Sequence, residues 1–256
     1  MKKSIEQLHM HNELLEVCLL AGRIMIEGGS EMYRVDDTMR RIAVNGGAQD
    51  ALVFTTPTGI FIGLGNESKT LLSPIDKRSI DMEKVAQVNQ LSRSFAAHEL
   101  GLHELHEALH HLDQNTPFFP FWLQVLAAGV CSTMLMVVFA QAYDWFDMPL
   151  AAVVGALGFI AYAKISPLTR VRFISELGGA FVVGVTAWAG VKLGVGRNLD
   201  NVIIGAVMPL VPGVAITNSI RDMLAGHLLS GIARGMEALL SAAAIGVGIA
   251  LIFRFF

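Results

Sequence analysis

The sequence predicts a helical membrane protein: five transmembrane helices preceded by a small cytosolic α+β domain. Three observations carry that expectation. The chain has 256 residues, 53% hydrophobic and 16% charged, with a mean hydropathy of +0.53, more apolar than soluble domains run. Its charge is uneven, with 11 Lys/Arg against 16 Asp/Glu in residues 1–116 and 8 against 6 in residues 117–256. Apolar stretches of membrane-crossing length occur only in the second part, which puts the boundary between residues 1–116 and 117–256 at Thr116-Pro117.

In the polar part, Ser4 and Gln7 are spaced as a capping box, and Leu14, Cys18, Ala21 or Gly22, and Met25 recur at helical spacing until Gly28-Gly29 closes the pattern. Ser30 is placed to cap a second helix, in which Val35, Met39 and Ile42 share a face and which Asn45-Gly46-Gly47 ends. Its other face holds Arg34, Asp36, Asp37, Arg40 and Arg41. Mixed signs at close spacing fit a solvated face, and a binding role for Arg34 or Asp36 is the sharper alternative. Two β-prone runs, 51–56 and 60–64, flank Pro57-Thr58-Gly59 and read as a hairpin, with 69–73 as a third strand under the two helices. From 81 to 111, Val85, Val88, Leu91 and Phe95 predict one long helix running towards the membrane, with Gly101 as its point of interruption.

That helix ends in a run with five histidines, among them His106-Glu107-Ala108-Leu109-His110, a formal H-E-x-x-H. On a helix this spacing puts two imidazoles on one face, able to ligate zinc, with Glu107 placed as a base on bound water. A stretch so rich in His and Glu produces the match easily by chance, and no third ligand stands at a recognisable spacing. A solvated amphipathic helix explains the same residues. A membrane-tethered zinc hydrolase using His106 and His110 is kept as the rival from another class, beside an assembly or regulatory membrane protein without a transport path.

Cys18 and Cys131 have neither disulfide nor metal spacing. The N-terminus has two lysines but no apolar run or cleavage site behind them, so it does not read as a secretory signal. No basic stripe with interleaved aromatics points to nucleic acid, and no motif calls for a cofactor.

The apolar half divides at 119–141, 149–166, 174–195, 201–224 and 232–254, each long enough to cross about 30 Å of hydrocarbon. The second and fourth connections carry Lys164, Arg170, Arg172, Arg221 and Arg234, against Lys192 and Arg197 in the first and third. The more basic pair should face the cytosol, which puts the N-terminus inside and the C-terminal Phe256 on the periplasmic side. Phe118, Phe119, Phe121, Trp122 and Trp145 fit interfacial aromatics. Gly155, Gly158, Gly178, Gly179, Gly184, Gly231, Gly235, Gly246 and Gly248 suit close helix approach. Glu176, Asp222 and Glu237 lie near span ends, where a carboxylate either snorkels to the interface or faces the bundle to carry a proton or bind a cationic group.

The fourth stretch stands apart. Pro209 and Pro212, with Gly213 behind them, interrupt its helix, and Thr217, Asn218, Ser219, Arg221 and Asp222 follow. In hydrocarbon such a break survives only where protein or a watery cavity satisfies the backbone. It is either a packing kink or a place where half-helix ends hold a solute.

Residues 208–239, MPLVPGVAITNSIRDMLAGHLLSGIARGMEAL, resemble the signature region of the threonine/serine exporter family of bacterial inner-membrane proteins. The run Gly28-Gly-Ser-Glu-Met-Tyr-Arg-Val-Asp-Asp-Thr-Met-Arg-Arg is similar to that family's N-terminal motif. The resemblance implies a cytosolic domain followed by membrane helices and the export of small hydrophilic metabolites driven by the proton gradient. Long members continue into a second membrane block, so this chain resembles the short, split type, whose partner is a separate small membrane protein supplying that block. A homo-oligomer is compatible with the same reading. For split pairs the resemblance implies export of a dicarboxylate, succinate in particular, beside threonine and serine. The solute site would use Pro209, Pro212, Gly213, Thr217, Asn218 and Arg221, with Glu176, Asp222 and Glu237 as proton-coupling candidates.

Overall fold

The computed structural model describes residues 2–64, 70–76, 79–115, 119–141, 143–169 and 172–255, with the side chains of 2–9, Leu64, Arg172 and Phe255 excepted. Thr116-Pro117, Phe118, Lys69, Arg170, Phe256 and the side chains of the Ser4–Gln7 capping box lie outside the described residues. The chain forms two compact units, one of residues 1–117 with 214–235, the other of residues 118–213 with 236–256. Residues 214–235, read from the sequence as part of the membrane half, group with the polar half.

In the first unit, α1 (Lys2–Glu27) ends where the paired glycines predict. Gly29 takes a φ of +85°, and the Gly29 and Ser30 N–H groups turn back to the carbonyls of Ile26 and Met25 at 3.0 and 2.9 Å. This closes α1 in a left-handed C-terminal turn that glycine adopts without strain. Helix α2 (Met32–Asn45) follows. The predicted faces of both helices are buried: Leu14, Cys18, Ala21 and Met25 meet Val35, Met39 and Ile42, and Ile60 and Ile62 of the sheet close the core. Burial pushes the Cys18 thiol up to about 12, so it stays a neutral packing group.

Strands β1 (Ala51–Thr56), β2 (Gly59–Leu64) and β3 (Thr70–Pro74) form an antiparallel meander in the order β1-β2-β3. Thr56 pairs with Gly59 across the Pro57-Thr58 turn. Alternation along the strands sends Ile60 and Ile62 to the helices and leaves Leu52, Phe54, Phe61 and Leu72 exposed on the other face.

The long helix expected over 81–111, with its interruption at Gly101, is two helices, α3 (Met82–Ala96) and α4 (Leu102–Gln114), the second capped at Gly101. His98 reverses the chain at φ 60°, Asp81 caps α3 by accepting from the Lys84 N–H at 3.1 Å, and Glu104 accepts from the Gly101 N–H at 2.7 Å at the start of α4. The reversal has a packing reason. Leu105, Leu109 and Leu112 enter the same core as Val85, Val88 and Phe95, which a straight continuation of α3 would prevent.

The second unit holds α5 (Phe121–Ala140), α6 (Met148–Ile165), α7 (Arg172–Lys192), α8 (Leu199–Val207), a 3-10 turn at Met208–Leu210 and the later part of α10 (Leu228–Phe255). Four helices among the described residues are long and apolar enough to cross a membrane, or five if the segments either side of the break after α8 count as one span. Phe119, Trp122 and Trp145 are exposed. Close approach is real at several of the expected glycines. A Cβ on Gly155 would run into Ser132, one on Gly158 into Val183, and one on Gly248 would stand 2.6 Å from the Leu177 carbonyl. Gly246 is a correction: open space surrounds its Cβ position, so no helix contact requires it.

Asp147, on the acidic first connection, is fully buried and accepts from the backbone N–H groups of Arg197 and Asn198 at 2.6 and 2.9 Å. It pins the segment that leads into α8. Asp147→Ala is expected to lower stability by about 2 kcal/mol by stranding these two donors. Thermal unfolding of the detergent-solubilised protein checks this, and an unchanged midpoint would contradict it.

Candidate functional site at the helix break

The fourth apolar stretch breaks where its prolines predict. After α8 the chain tightens into the 3-10 turn that carries Pro209, Val211 is extended, Pro212 is buried, and α9 (Gly213–Leu224) opens at an exposed glycine. The Val211 N–H reaches the Met208 carbonyl at 3.1 Å, and that of Gly213 reaches the Val211 carbonyl at 2.8 Å. Open space surrounds the Cβ position of Gly213, so backbone freedom at the helix start, not crowding, accounts for glycine there.

Helix α9 is two-faced. Ile216, Ile220 and Leu224 recur every fourth residue and are exposed, whereas Asn218, Ser219 and Asp222 are buried. Thr217 is exposed, and its hydroxyl donates to the Val214 carbonyl at 3.1 Å. The polar face is directed at the turn that joins α1 to α2, within the same compact unit. Asn218 donates its amide to the Gly29 carbonyl at 2.8 Å, and Asp222 accepts from the Met32 N–H at 2.8 Å. Arg221 donates to the Glu31 carboxylate at 2.8 Å. Arg234, on the first turns of α10, donates to the Ser30 carbonyl at 2.7 Å and lies 3.3 Å from the other oxygen of Asp222. Ser219 donates to the Gly231 carbonyl at 2.7 Å, tying α9 to α10.

The arrangement follows from how α2 begins. Ser30 does not cap it, as the sequence suggested. The Ser30 N–H is taken by the end of α1, the cap position falls one residue later at Glu31, and Glu31 forms no side-chain cap. The exposed donors of a helix start need an acceptor, and the buried Asp222 carboxylate supplies it from 190 residues away. Asn218, Arg221 and Asp222 are thus brought together. Glu176, buried on α7, and Glu237, half-buried on α10, belong to the other compact unit. Sequence reasoning missed Glu31 and Arg234 as members of this cluster. The available signal was the run Gly28 to Arg34 itself, singled out as a motif without a physical reason for its residues.

Burial works to raise the Glu31 carboxyl, but its own backbone N–H and the Arg221 and Arg34 guanidiniums together hold it below the usual carboxylate range. A depressed folded-state pKa gives stability that is present above the unfolded value of about 4.3 and is lost as pH falls through the folded value. The stability gap between wild type and Glu31→Gln is therefore expected to close as denaturation is followed below about pH 4. Near neutrality the gap should be small, about 1 kcal/mol or less, because the Arg221 side chain is 62% exposed. A gap that widens on acidification would contradict this.

On α4, His106 and His110 lie ring to ring at 4.7 Å, and His106 is 3.8 Å from Glu13 of α1. Glu107 points to solvent. Among the described residues no group of three or more His, Cys, Asp or Glu side chains is disposed to hold a metal ion.

Both sequence motifs therefore meet in one hydrogen-bonded cluster, and the comparison with known proteins covers both. The family model described as "Putative threonine/serine exporter" (ThrE) matches residues 16–256. The chain belongs to the threonine/serine exporter family. It is also similar to a "Probable threonine/serine exporter" of Mycobacterium tuberculosis (strain ATCC 25618 / H37Rv), at 24% identity over 258 residues, which cover 98% of this chain and 47% of the relative. The chain thus spans about half the length of the curated relative it matches. No solved structure gives a significant match.

Proposed function

We propose that this chain is a subunit of an exporter of small hydrophilic metabolites in a bacterial inner membrane, with its N-terminus cytosolic and its C-terminus periplasmic. The observation that carries the reading is the break between α8 and α9 in an otherwise membrane-crossing stretch. A broken span is tolerated where it lines a polar path, and it exposes the N–H groups of a helix start to an anionic group. The start of α9 at Gly213, with Pro209 and Pro212 shaping the break and Thr217 exposed one turn on, receives the carboxylate of the solute. Asn218 and Arg221 then tie this half-helix to the turn between α1 and α2. Glu31 offers Arg221 the same chemical group that a solute carboxylate would, so an arriving solute competes for a guanidinium already engaged. Glu176, Asp222 and Glu237 are the carboxylates through which protons are coupled.

Threonine and serine are favoured as solutes by the family description, and a dicarboxylate such as succinate shares the carboxylate that the helix start recognises. A separate small membrane protein is proposed as the partner of this chain. Reconstitution of both chains in liposomes tests the reading. An imposed pH gradient should drive movement of labelled threonine or succinate, and Glu176→Gln should abolish the gradient-driven movement. No movement of threonine, serine or succinate under any gradient overturns the proposal. The metallohydrolase reading gains no support from His106 and His110, which have Glu13 beside them and no third ligand among the described residues.

A further inference from the structure

A cleft of about 210 Å3 opens in the first compact unit, away from the helix break. Asp36, Phe54 and Thr55 form one wall, and residues 226–230 the other. It is smaller than the roughly 300–1,000 Å3 of sites for drug-sized ligands and suits a small metabolite.

The two walls have opposite electrostatic character. On one, Asp36 accepts from the Thr55 hydroxyl at 2.7 Å, which uses one of the roughly four acceptor positions of a carboxylate. The other wall is built by the end of α9 and the start of α10. Gly226, at φ +89°, closes α9 with its own N–H on the Met223 carbonyl and the His227 N–H on the Asp222 carbonyl, at 3.1 and 2.8 Å. The chain then enters α10, whose first three residues, Leu228, Leu229 and Ser230, have N–H groups without an acceptor inside the helix. Ser230 lines the cleft at 1% exposure, and its hydroxyl has no hydrogen-bond partner among the described residues. His227 also lines the cleft, and Phe54 with Leu228 gives an apolar rim.

We infer that this cleft binds a small zwitterion, its ammonium against Asp36 and its carboxylate against the start of α10 and the Ser230 hydroxyl. A lone anion meets the Asp36 charge, and a lone cation meets the positive end of a 28-residue helix; only a molecule carrying both signs satisfies both walls. The inference goes beyond the exporter reading, because it places a ligand site on the polar unit. Occupancy also bears on Asp222, since the turn that lines the cleft is bonded to the Asp222 carbonyl.

Calorimetric titration of the purified full-length protein in detergent tests it, with L-serine as the zwitterion and ethanolamine and 3-hydroxypropionate, each carrying one of its two charges, as single-sign controls. Saturable L-serine binding is expected, with both controls at least tenfold weaker. Asp36→Asn should weaken L-serine binding by about tenfold or more, the loss of one charge-assisted contact, at an unchanged unfolding midpoint. Ser230→Ala should weaken it several-fold and serves as the second probe if Asp36→Asn fails to fold. Cys131→Ser, at an exposed position on α5 outside both sites, should leave it unchanged. Absence of saturable L-serine binding, or equal binding by Asp36→Asn, overturns the inference, and binding kept in Asp36→Asn would leave the helix-break reading standing.

Discussion

Replacing Asp222 by alanine is expected to lower the stability of the first compact unit by about 3–5 kcal/mol, the cost of breaking a buried charge pair from one side. Asp222 is fully buried, and the Arg234 side chain is only 10% exposed, so removing the carboxylate leaves a guanidinium in a site where water cannot replace its partner. The Met32 N–H at the start of α2 loses its acceptor in the same step. Asp222→Asn should cost less, because an amide oxygen still caps α2 while the ion pair is lost. Joint replacement, Asp222→Leu with Arg234→Met, should recover much of the deficit, since apolar residues of similar volume often substitute for a buried pair without loss. Thermal unfolding of the solubilised protein distinguishes these variants. A double variant as unstable as Asp222→Ala would mean that the α2 cap, not the lost ion pair, dominates.

Gly205→Leu is the second large effect, and it acts on the membrane unit. A Cβ at residue 205 would stand 2.6 Å from the Ser132 carbonyl of α5 and 2.5 Å from the Met136 Cβ. The Met136 side chain has little room to retreat, being 1% exposed, and the carbonyl belongs to the backbone of α5. Relief therefore requires α8 and α5 to separate, and the cost is about 3 kcal/mol or more, the upper end of overpacking. Gly246→Leu is the matched control, because open space surrounds that position. Equal loss of folded protein from both variants would contradict the packing account.

Much of the fold was legible because local periodicity reports local burial. Leu14, Cys18, Ala21 and Met25 share one buried face for the same reason that they repeat at helical spacing. The hairpin at Pro57-Thr58 and the break at Pro209 and Pro212 are chain-stiffness effects that neighbours within a few residues decide. The interruption of 81–111 at Gly101 was legible, but the return of α4 to the core of α3 was not, since Leu105 and Leu109 continue a helical pattern equally well on a straight helix or on a second one packed against the same core. The cluster around Asp222 was legible only in its parts. Asn218, Arg221 and Asp222 drew notice as polar residues beside an apolar span, but their partners at Gly29, Glu31 and Met32 lie about 190 residues away, and no local rule names a partner at that separation. Reading Ser30 as a cap failed for a definable reason: the left-handed Gly29 makes Ser30 the last residue of the α1 turn, one position too early to serve α2.

The most direct test of the central claim is efflux from bacterial cells preloaded with labelled threonine, serine or succinate, with and without this chain and the proposed partner. The account predicts faster efflux of at least one of these solutes when the chain is present, dependence on the proton gradient, and loss of the effect when Asn218 is replaced by alanine in a protein that still folds. Efflux of all three at the same rate with and without the chain would contradict it.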